Sequence, residues 1–378
     1  MKSTGLNRAP ELNDYFEQVS KGFENLSELT ESDIQIATSK KTLVFETDKV
    51  RLFKYQKLEG VKLAEKHPVL VAYSLIGSYK MLDLQPDRSV IRNMLEEGLE
   101  VYIIDWGQSN RADRWLSFED FILGYMNDCV EYICSAHHIE SASLLGICEG
   151  GVFAACYASL YPEKIKSLAL AVTPIDFHAD EHANLKPEQG HLNRCLRNFS
   201  REELEEMIDA YGQLPGEVSG LAFLEMTLVK SLTKYQWDAV KSLSGDRKQV
   251  LNFLRMEKWL VDRPNHPGEA AKQWLIDLYN ENQLARGQFT LQGKKINLKK
   301  IDMPVLNIFS RDDHIVPPPT SKALKKLVSK NCDYQELELP AGHIGAFVSS
   351  KANRAFSSAV SESIPKLVVN NDGSKINL

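Results

Sequence analysis

The amino-acid sequence predicts an α/β fold with a mostly parallel central sheet and a helical insertion. Three observations support this prediction. Short apolar runs alternate with helix-compatible segments over residues 41–175, helical patterns replace that alternation over residues 176–297, and the alternation resumes over residues 298–368. Alternating strands and helices are typical of a parallel sheet with helices on both faces. We therefore expect one α/β core in two halves, divided by a cap insertion.

The individual elements follow this division. Residues 1–40 are polar and are expected to form a helical N-terminal arm, and residues 369–378 are expected to be a frayed tail. The insertion carries three of the five tryptophans, which are Trp237, Trp259 and Trp274. Strands are expected near residues 43–54, 69–74, 101–105, 142–146, 167–172, 303–309 and 334–339.

Cys148 is the most informative residue because it lies in the segment Gly-Ile-Cys-Glu-Gly-Gly, directly after a predicted strand. The pattern Gly-x-nucleophile-x-Gly between a strand and a helix is typical of a nucleophile elbow. A free cysteine is more often a small buried apolar residue, but the strand before it and the small, helix-compatible residues after it favour a nucleophile. The sequence contains no Gly-x-Ser-x-Gly. It therefore predicts acyl transfer through a thioester on sulfur.

A cysteine nucleophile needs a base, and the base needs a group that orients it. In the α/β-hydrolase fold the chain order is nucleophile, acid, histidine. Asp312 and Asp313 follow the predicted strand 303–309, and His343 follows the last strand in a glycine-flanked loop. Either segment alone could be an ordinary turn, but the three elements occur in the required order, each at a strand end. His314 is a rival base, poorly placed because it adjoins the acid in one loop.

The composition excludes some classes of function. With 378 residues, 43% of them hydrophobic, the chain can bury a large core. Its net charge of -6 argues against nucleic-acid binding, which is usually achieved with a basic surface. Lysines at positions 294, 295, 299 and 300 form a basic patch that could meet the phosphates of a ligand, although a solvated hairpin face explains them as well.

Cysteine and histidine spacings indicate no metal site. The six cysteines are not paired at metal-ligand spacing, and His137 and His138 are expected at the surface before a strand.

The polar N-terminal residues do not resemble a signal peptide, and no apolar run is long enough to span a membrane. These features favour a cytoplasmic protein with free thiols.

Eight segments in order carry a resemblance to a known family. They are His67-Pro-Val-Leu-Val71, Tyr79-Lys-Met-Leu-Asp-Leu-Gln-Pro-Asp-Arg-Ser89, Val101-Tyr-Ile-Ile-Asp-Trp-Gly107, Gly146-Ile-Cys-Glu-Gly-Gly151, Thr173-Pro-Ile-Asp-Phe177, Met256-Glu-Lys-Trp259, Asp313-His-Ile-Val-Pro-Pro318 and Gly342-His-Ile-Gly345. With these segments, between about residues 40 and 350, the chain resembles the polyhydroxyalkanoate synthases, especially the short catalytic subunit of the class III two-component enzymes.

The resemblance implies a catalytic set of Cys148, Asp313 and His343, with Asp313 favoured over Asp312 by its match to the family motif. It implies polymerisation of (R)-3-hydroxyacyl-CoA into polyester with CoA release, no cofactor, and a place at the surface of polyester granules. It also implies a second, non-catalytic PhaE-like subunit and a homo-oligomer. Asp313 would either orient His343 or help to activate the attacking hydroxyl.

The oxyanion of a thioester intermediate is expected to bind backbone amides of Glu149, after the nucleophile, and of Ile76. Two residues beside Ile76 depart from the pattern that the resemblance implies. Gly77 stands where related synthases usually carry Asn, and Ser78 stands where they carry a basic residue. A backbone donor would survive both changes, but the rigidity of this loop and the substrate preference are open.

Two other functions fit the same residues. The first is a cysteine-dependent thioesterase, esterase or polyester depolymerase, in which water replaces the attacking hydroxyl. The second is a non-catalytic granule-binding protein that has kept the fold. The presence of Cys148, Asp313 and His343 argues against the second. Free acid as product, instead of insoluble polymer, would distinguish the first.

Overall fold

The computed structural model describes residues 9–186, 189–225, 238–369 and 375–376. Trp237, part of the predicted insertion, lies outside these described residues. A central sheet of eight strands organises the chain. The strands are β1 (Lys41–Thr47), β2 (Val50–Tyr55), β3 (Val69–Ala72), β4 (Val101–Asp105), β5 (Ala142–Ile147), β6 (Ile165–Ala171), β7 (Val305–Ser310) and β8 (Tyr334–Leu339).

The strands lie in the order β1-β2-β4-β3-β5-β6-β7-β8. β2 is antiparallel to both β1 and β4, and the other pairs are parallel. This confirms the predicted, mostly parallel sheet. Because parallel strands end at a common edge, the loops after β3, β5, β7 and β8 meet there.

The prediction of one strand near residues 43–54 was wrong, because this segment is a hairpin. Thr47 pairs with Val50, so that Asp48 and Lys49 form a two-residue loop. Asp48 has φ 51°, in the left-handed region that tight hairpin loops require and that Asp tolerates. An aspartate between two apolar runs was therefore the signal for the turn.

Helices surround the sheet and fill the insertion. They are α1 (Ala9–Ser27), α2 (Val90–Glu96), α3 (Asn127–His137), α4 (Glu149–Leu160), α5 (His191–Arg197), α6 (Arg201–Tyr211), α7 (Gly216–Glu225), α8 (Ala239–Leu243), α9 (Arg247–Val261), α10 (Gly268–Lys272), α11 (Pro318–Lys322), α12 (Leu324–Leu327), α13 (Gly345–Val348) and α14 (Ser350–Ser363). Two π-helical segments, Asp120–Met126 and Gln273–Asn280, adjoin α3 and α10.

Apolar side chains bury both faces of the sheet. On one face, Ile133 of α3 and Phe153 of α4 belong to a core cluster that also includes Trp274. On the other face, Met94 of α2 and Phe356 of α14 belong to a second cluster. The strands β3 to β7 are buried along most of their length, as expected for a parallel sheet covered on both sides.

Between β6 and β7, the described residues add no strand to the central sheet. Helix α9 begins with a capping box in which Asp246 and Gln249 each accept a backbone amide of the other. Short strand pairs join residues 213–214 to residues 266–267, and residues 290–291 to residues 294–295. The lysines of the basic patch are exposed on and after the second pair.

The expectation that His137 lies at the surface was wrong. His137 is buried at the end of α3, where its Nε2 lies 2.8 Å from the Tyr102 hydroxyl. His138 ends the helix in the left-handed conformation and is exposed. The partner of His137 comes from a strand 35 residues earlier, which the local sequence does not reveal.

Across the described parts of the chain, no helix has the length and apolar character needed to cross a membrane.

Candidate active site

Cys148 occupies a strained turn between β5 and α4, with φ 54° and ψ −122°. A non-glycine residue rarely adopts this conformation, so the surrounding structure must impose it. Close backbone contacts do so, because a Cβ at Gly150 would clash with the carbonyl oxygens of Ala72 and Tyr73. A Cβ at Gly146 would likewise clash with the first turn of α4. The small residues on either side of Cys148 therefore permit the turn that exposes its side chain.

The turn is fixed at both ends. The amide of Cys148 donates to the carbonyl oxygen of Ala171 at the end of β6, at 2.9 Å. On the other side, Cys148 is the N-cap residue of α4, where the partial positive charge of a helix N-terminus favours an anionic sulfur. The Cys148 side chain is partly exposed, whereas Cys129, Cys134 and Cys156 are buried. Geometry therefore makes Cys148 accessible for nucleophilic attack.

Asp313 and His343 form a buried pair at the ends of β7 and β8. The Asp313 Oδ2 lies 2.8 Å from His343 Nδ1. The other carboxylate oxygen accepts the amides of Ile315 and Val316, each at 2.9 Å. Asp313 is fully buried, and these bonds use both of its oxygens. The arrangement holds the imidazole ring with its Nδ1 toward the acid, which leaves Nε2 for another partner.

His343 bonds to Asp313 through Nδ1 and lines the same cavity as Cys148. Burial alone would lower the pKa of His343. The negative charge and hydrogen bond of Asp313, together with the influence of the neighbouring Cys148, outweigh burial and raise this pKa to about 10. A histidine made this basic by a neighbouring carboxylate is able to take a thiol proton.

The structure places Asp312 and His314 differently from Asp313 and His343. Asp312 is exposed, and its Oδ1 accepts a hydrogen bond from Lys186 Nζ at 2.7 Å. His314 is half-buried and lines the same cavity as Cys148 and His343. Asp313 bonds through its side chain to His343. The structure thus brings together Cys148, His343 and Asp313 and leaves Asp312 on the surface.

The loop after β3 faces the elbow, but the amides of Leu75 and Ile76 already have partners. The Ile76 amide donates to Ser74 Oγ at 3.0 Å, and the Leu75 amide donates to Glu149 Oε2 at 2.8 Å. The Ser74 hydroxyl donates to the same Glu149 oxygen at 2.9 Å. The predicted donor Ile76 therefore lies at the cavity wall with its amide proton directed to Ser74.

The Glu149 backbone amide, the other predicted donor, lies at the first position of α4. Amides in the first turn of a helix have no carbonyl partner within that helix. Within the described ranges, the Glu149 amide donates no hydrogen bond to a loop carbonyl or to a side chain either. It is thus available to a ligand beside Cys148.

A cavity of about 200 Å³ opens above Cys148 and His343. Its wall is mostly apolar, and the insertion supplies a large part of it. The insertion residues that line it are Leu192, Trp259, Leu260, Arg263, Trp274 and Tyr279. Gly77 lies in the wall beside Trp259, where an added Cβ would lie 3.4 Å from the Tyr73 ring and 3.8 Å from the Trp259 ring. A small residue at position 77 therefore widens the cavity.

Two buried side chains beside the elbow were not predicted from the sequence. Glu149 is fully buried, and its Oε1 lies 2.6 Å from His266 Nε2. His266 is also buried, although it comes 117 residues later. A glutamate after the nucleophile is visible in the sequence, but nothing near His266 indicates its partner.

Among the described residues, no three His, Cys, Asp or Glu side chains are grouped as metal ligands would be.

Comparisons with known proteins bear on the chemistry of this site. The family model of the alpha/beta hydrolase fold matches residues 67–350. The chain is 40% identical over 347 residues to the poly(3-hydroxyalkanoate) polymerase subunit PhaC of Synechocystis sp., covering 92% of this chain and 90% of that protein. It is 39% identical over 350 residues to the subunit of the same name from Allochromatium vinosum, covering 93% and 94% of the two chains.

A solved structure supports the fold alone. The crystal structure of a hydrolase from Pseudomonas aeruginosa PA01 matches with a TM-score of 0.50 and 17% sequence identity, covering 86% of this chain and 98% of that one. At this identity the likeness concerns the arrangement of strands and helices. It does not extend to the reaction.

Proposed function

Because the chain belongs to the family of poly(3-hydroxyalkanoate) polymerase subunits PhaC, within the alpha/beta hydrolase fold, we propose that it forms polyester through an acyl-enzyme on Cys148. It is a polyester-synthesising acyltransferase that uses an acyl-CoA substrate. The observation that carries the proposed site is the position of His343, which bonds to the buried Asp313 and lines one cavity with Cys148. This is the arrangement of nucleophile, base and orienting acid that covalent acyl transfer requires.

The first step is acylation of the enzyme. His343 accepts the proton of the Cys148 thiol, and the sulfur attacks the carbonyl carbon of (R)-3-hydroxyacyl-CoA. The carbonyl oxygen becomes an oxyanion, which the amide of Glu149 and an amide of the loop after β3 stabilise. When the intermediate collapses, the bond to the CoA sulfur breaks, and His343 returns its proton to the departing thiolate. Free CoA and a thioester on Cys148 result.

The second step is transfer to a hydroxyl group. The hydroxyl oxygen of a second hydroxyacyl group attacks the thioester on Cys148, forming an ester bond as the sulfur–carbon bond breaks. The hydroxyl proton passes to His343 and then to the sulfur, which restores the thiol. The protein's residues supply all proton transfers, so this scheme uses no cofactor. A hydrolase would use water in the same position.

Asp313 acts on the reaction through His343. Its carboxylate is fully buried, with one oxygen held by two amides and the other by the imidazole. Asp313 is not among the residues that line the cavity, whereas His343 is, so a substrate hydroxyl in the cavity meets the imidazole and not the carboxylate. Of the two roles that the sequence left open, this geometry favours orientation of His343 and stabilisation of its charge.

We further propose a second, non-catalytic PhaE-like subunit and a homo-oligomer, acting at the surface of cytoplasmic polyester granules. The support is physical. Residues of the insertion, including Trp259, Leu260 and Arg263, line the cavity above the sulfur. A growing polyester must leave past these side chains, and a partner that displaces them would keep the exit open. Purified single chain that shows full activity without a lag would refute the need for this partner.

Substrates with and without a 3-hydroxyl test the proposed function. With (R)-3-hydroxybutyryl-CoA, we expect sustained CoA release and insoluble polymer. With butyryl-CoA, the acyl group has no hydroxyl for the next condensation, so we expect roughly one equivalent of CoA per active site and then a stall. Mass spectrometry should find the butyryl adduct on Cys148, and Cys148→Ala should release no CoA. Continued release of CoA and free butyrate would establish a thioesterase instead.

A further inference from the structure

The buried side chain of Glu149 connects three segments around the nucleophile. It directly follows Cys148, and its Oε2 accepts hydrogen bonds from the Ser74 hydroxyl at 2.9 Å and the Leu75 amide at 2.8 Å. Its Oε1 lies 2.6 Å from Nε2 of His266, in the insertion. Neither Glu149 nor His266 is exposed by more than 1%. The described mechanism uses neither side chain.

The hydrogen-bonding partners fix how many protons this pair holds. His266 Nδ1 lies 3.3 Å from the carbonyl oxygen of Pro267, which can only accept, so Nδ1 carries a proton. Oε2 of Glu149 already accepts two hydrogen bonds. The short contact between Nε2 and Oε1 therefore contains one further proton, on either atom. In both cases the pair is neutral as a whole, and its polar atoms are satisfied without water.

The pair also joins the two walls of the cavity. On one side, Ser74 donates to Glu149 and accepts the amide of Ile76, so Glu149 orients the loop that faces the sulfur. On the other side, His266 follows directly after the segment that lines the cavity with Trp259 and Arg263. A displacement of the Glu149 carboxylate would move the loop amides and this segment relative to Cys148.

We propose that Glu149 is a positioning residue whose carboxylate, paired with His266, holds two segments at fixed positions relative to the Cys148 sulfur. These are the loop after β3 and the cavity-lining segment that precedes His266. This inference rests on the proposed function. Amides that stabilise an oxyanion act over a narrow range of positions, and loss of one such donor costs on the order of 10²–10³ in rate. The acylation step is therefore the step that depends on Glu149.

Alkylation by iodoacetamide separates this role from a merely structural one. The Cys148 sulfur displaces iodide in a single step, forming a sulfur–carbon bond while the thiol proton passes to His343. No oxyanion forms in this reaction. Misplaced loop amides should slow acylation by (R)-3-hydroxybutyryl-CoA and leave alkylation at Cys148 largely intact. A general loss of structure would slow both reactions.

We would measure both rates in Glu149→Leu and Glu149→Gln. In Glu149→Leu we expect acylation to fall by about 10²-fold while alkylation changes by less than about threefold. Glu149→Gln should acylate at least about tenfold faster than Glu149→Leu, because its carbonyl oxygen can accept from Ser74 and Leu75 and its amide can donate to His266 Nε2. Equal losses of acylation and alkylation in folded Glu149→Leu, or wild-type acylation in it, would overturn the proposal.

A second comparison covers the case in which Glu149→Leu fails to fold. His266→Leu leaves a buried carboxylate without its partner, whereas Glu149→Gln with His266→Leu leaves a neutral amide. We expect the double variant to acylate faster than His266→Leu alone, and equal rates would overturn the proposal. His137→Leu is the matched control, because it removes a buried histidine at the opposite end of the sheet. We expect it to leave the ratio of acylation to alkylation unchanged.

Different results would refute the proposed function and the role of Glu149. Wild-type protein that reacts with iodoacetamide at Cys148 but releases no CoA from (R)-3-hydroxybutyryl-CoA would refute the proposed function, and with it the inference that rests on that function. Wild-type protein that releases CoA, beside a folded Glu149→Leu that acylates as fast, would refute only the role of Glu149.

Discussion

The indole Nε1 of Trp259 donates a hydrogen bond to the carbonyl oxygen of Ser78 at 2.8 Å, although the two residues are 181 positions apart. The bond joins helix α9 of the insertion to the loop after β3. Trp259 and Gly77, which precedes Ser78, line the same cavity. The width of this cavity thus depends on a contact between the insertion and the α/β core.

Trp259→Phe tests this contact, because it keeps an aromatic ring and removes the N–H donor. A single hydrogen bond contributes about 0.5–1.5 kcal/mol, so we expect KM for (R)-3-hydroxybutyryl-CoA to rise by roughly 2- to 10-fold. The reacting groups are untouched, and kcat should fall less than KM rises. Steady-state kinetics would measure both constants. Trp115→Phe, at an exposed tryptophan, is the control and should change neither. A drop confined to kcat would contradict this role.

Asp313→Asn and Asp312→Asn form a matched pair. Asparagine at position 313 cannot stabilise the charge of His343, and loss of such an acid costs on the order of 10⁴ in rate in serine triads. We expect a loss of that order in CoA release. Asp312 is exposed and paired with Lys186, an arrangement worth about 0–1 kcal/mol, so Asp312→Asn should change the rate by a few-fold at most. The reverse ranking would identify Asp312 as the acid.

The Asp313–His343 pair also predicts a pH-dependent stability. The pKa of His343 lies near 10 because Asp313 and Cys148 outweigh the effect of burial, whereas its ordinary value is 6.5. Between these values the folded protein binds more protons than the unfolded chain. The stabilisation by His343 is therefore fully present below pH 6.5 and is lost as the pH rises through 10.

Urea unfolding of two variants would measure this effect. In Cys148→Ala the thiol no longer titrates, while Asp313 still raises the pKa of His343. We expect the difference in unfolding free energy between Cys148→Ala and Cys148→Ala with His343→Gln to shrink as the pH is raised from 7 toward 10. A difference that does not vary with pH would show that Asp313 does not keep the imidazole charged.

Gly150→Ala should destabilise the fold. The new Cβ would clash with the carbonyl oxygens of Ala72 and Tyr73, which are backbone atoms of the central sheet and its following loop. Overpacking of this kind costs about 1–3 kcal/mol or more. Gly124→Ala is the control, because an added Cβ there meets no atom within 4 Å. Thermal unfolding should show a lower Tm only for Gly150→Ala, and an unchanged Tm would contradict the close packing of the elbow.

The position of the candidate site could be predicted from the sequence because its residues follow strands of one parallel sheet. The motif around Cys148 follows β5, Asp313 follows β7 and His343 follows β8. The carboxyl ends of parallel strands share an edge of the sheet. Residues that directly follow these strands in the sequence are therefore close together in the folded protein. The same reasoning could not choose between Asp312 and Asp313, since adjacent residues in a loop differ only in the direction of their side chains.

The contacts that shape the site could not be predicted in this way. The partners in the Glu149–His266 and Trp259–Ser78 contacts are 117 and 181 residues apart, and each involves the insertion. In the sequence, an apolar or aromatic residue on an insertion helix has the same pattern of neighbours whether it packs in the core or lines a cavity. The mistake at His137 has the same origin, because a single buried hydrogen-bond partner on another element leaves no local pattern.

The insertion also lengthens the interval during which the site is incomplete in protein synthesis. The ribosome adds Cys148 to the nascent chain almost two hundred residues before it adds His343. At about 5–20 residues per second, that interval lasts roughly 10–40 s. Throughout it the thiol has no histidine to remove its proton and no acid to orient that histidine. The nucleophile therefore gains its base only after the last strand has been synthesised and has joined the sheet.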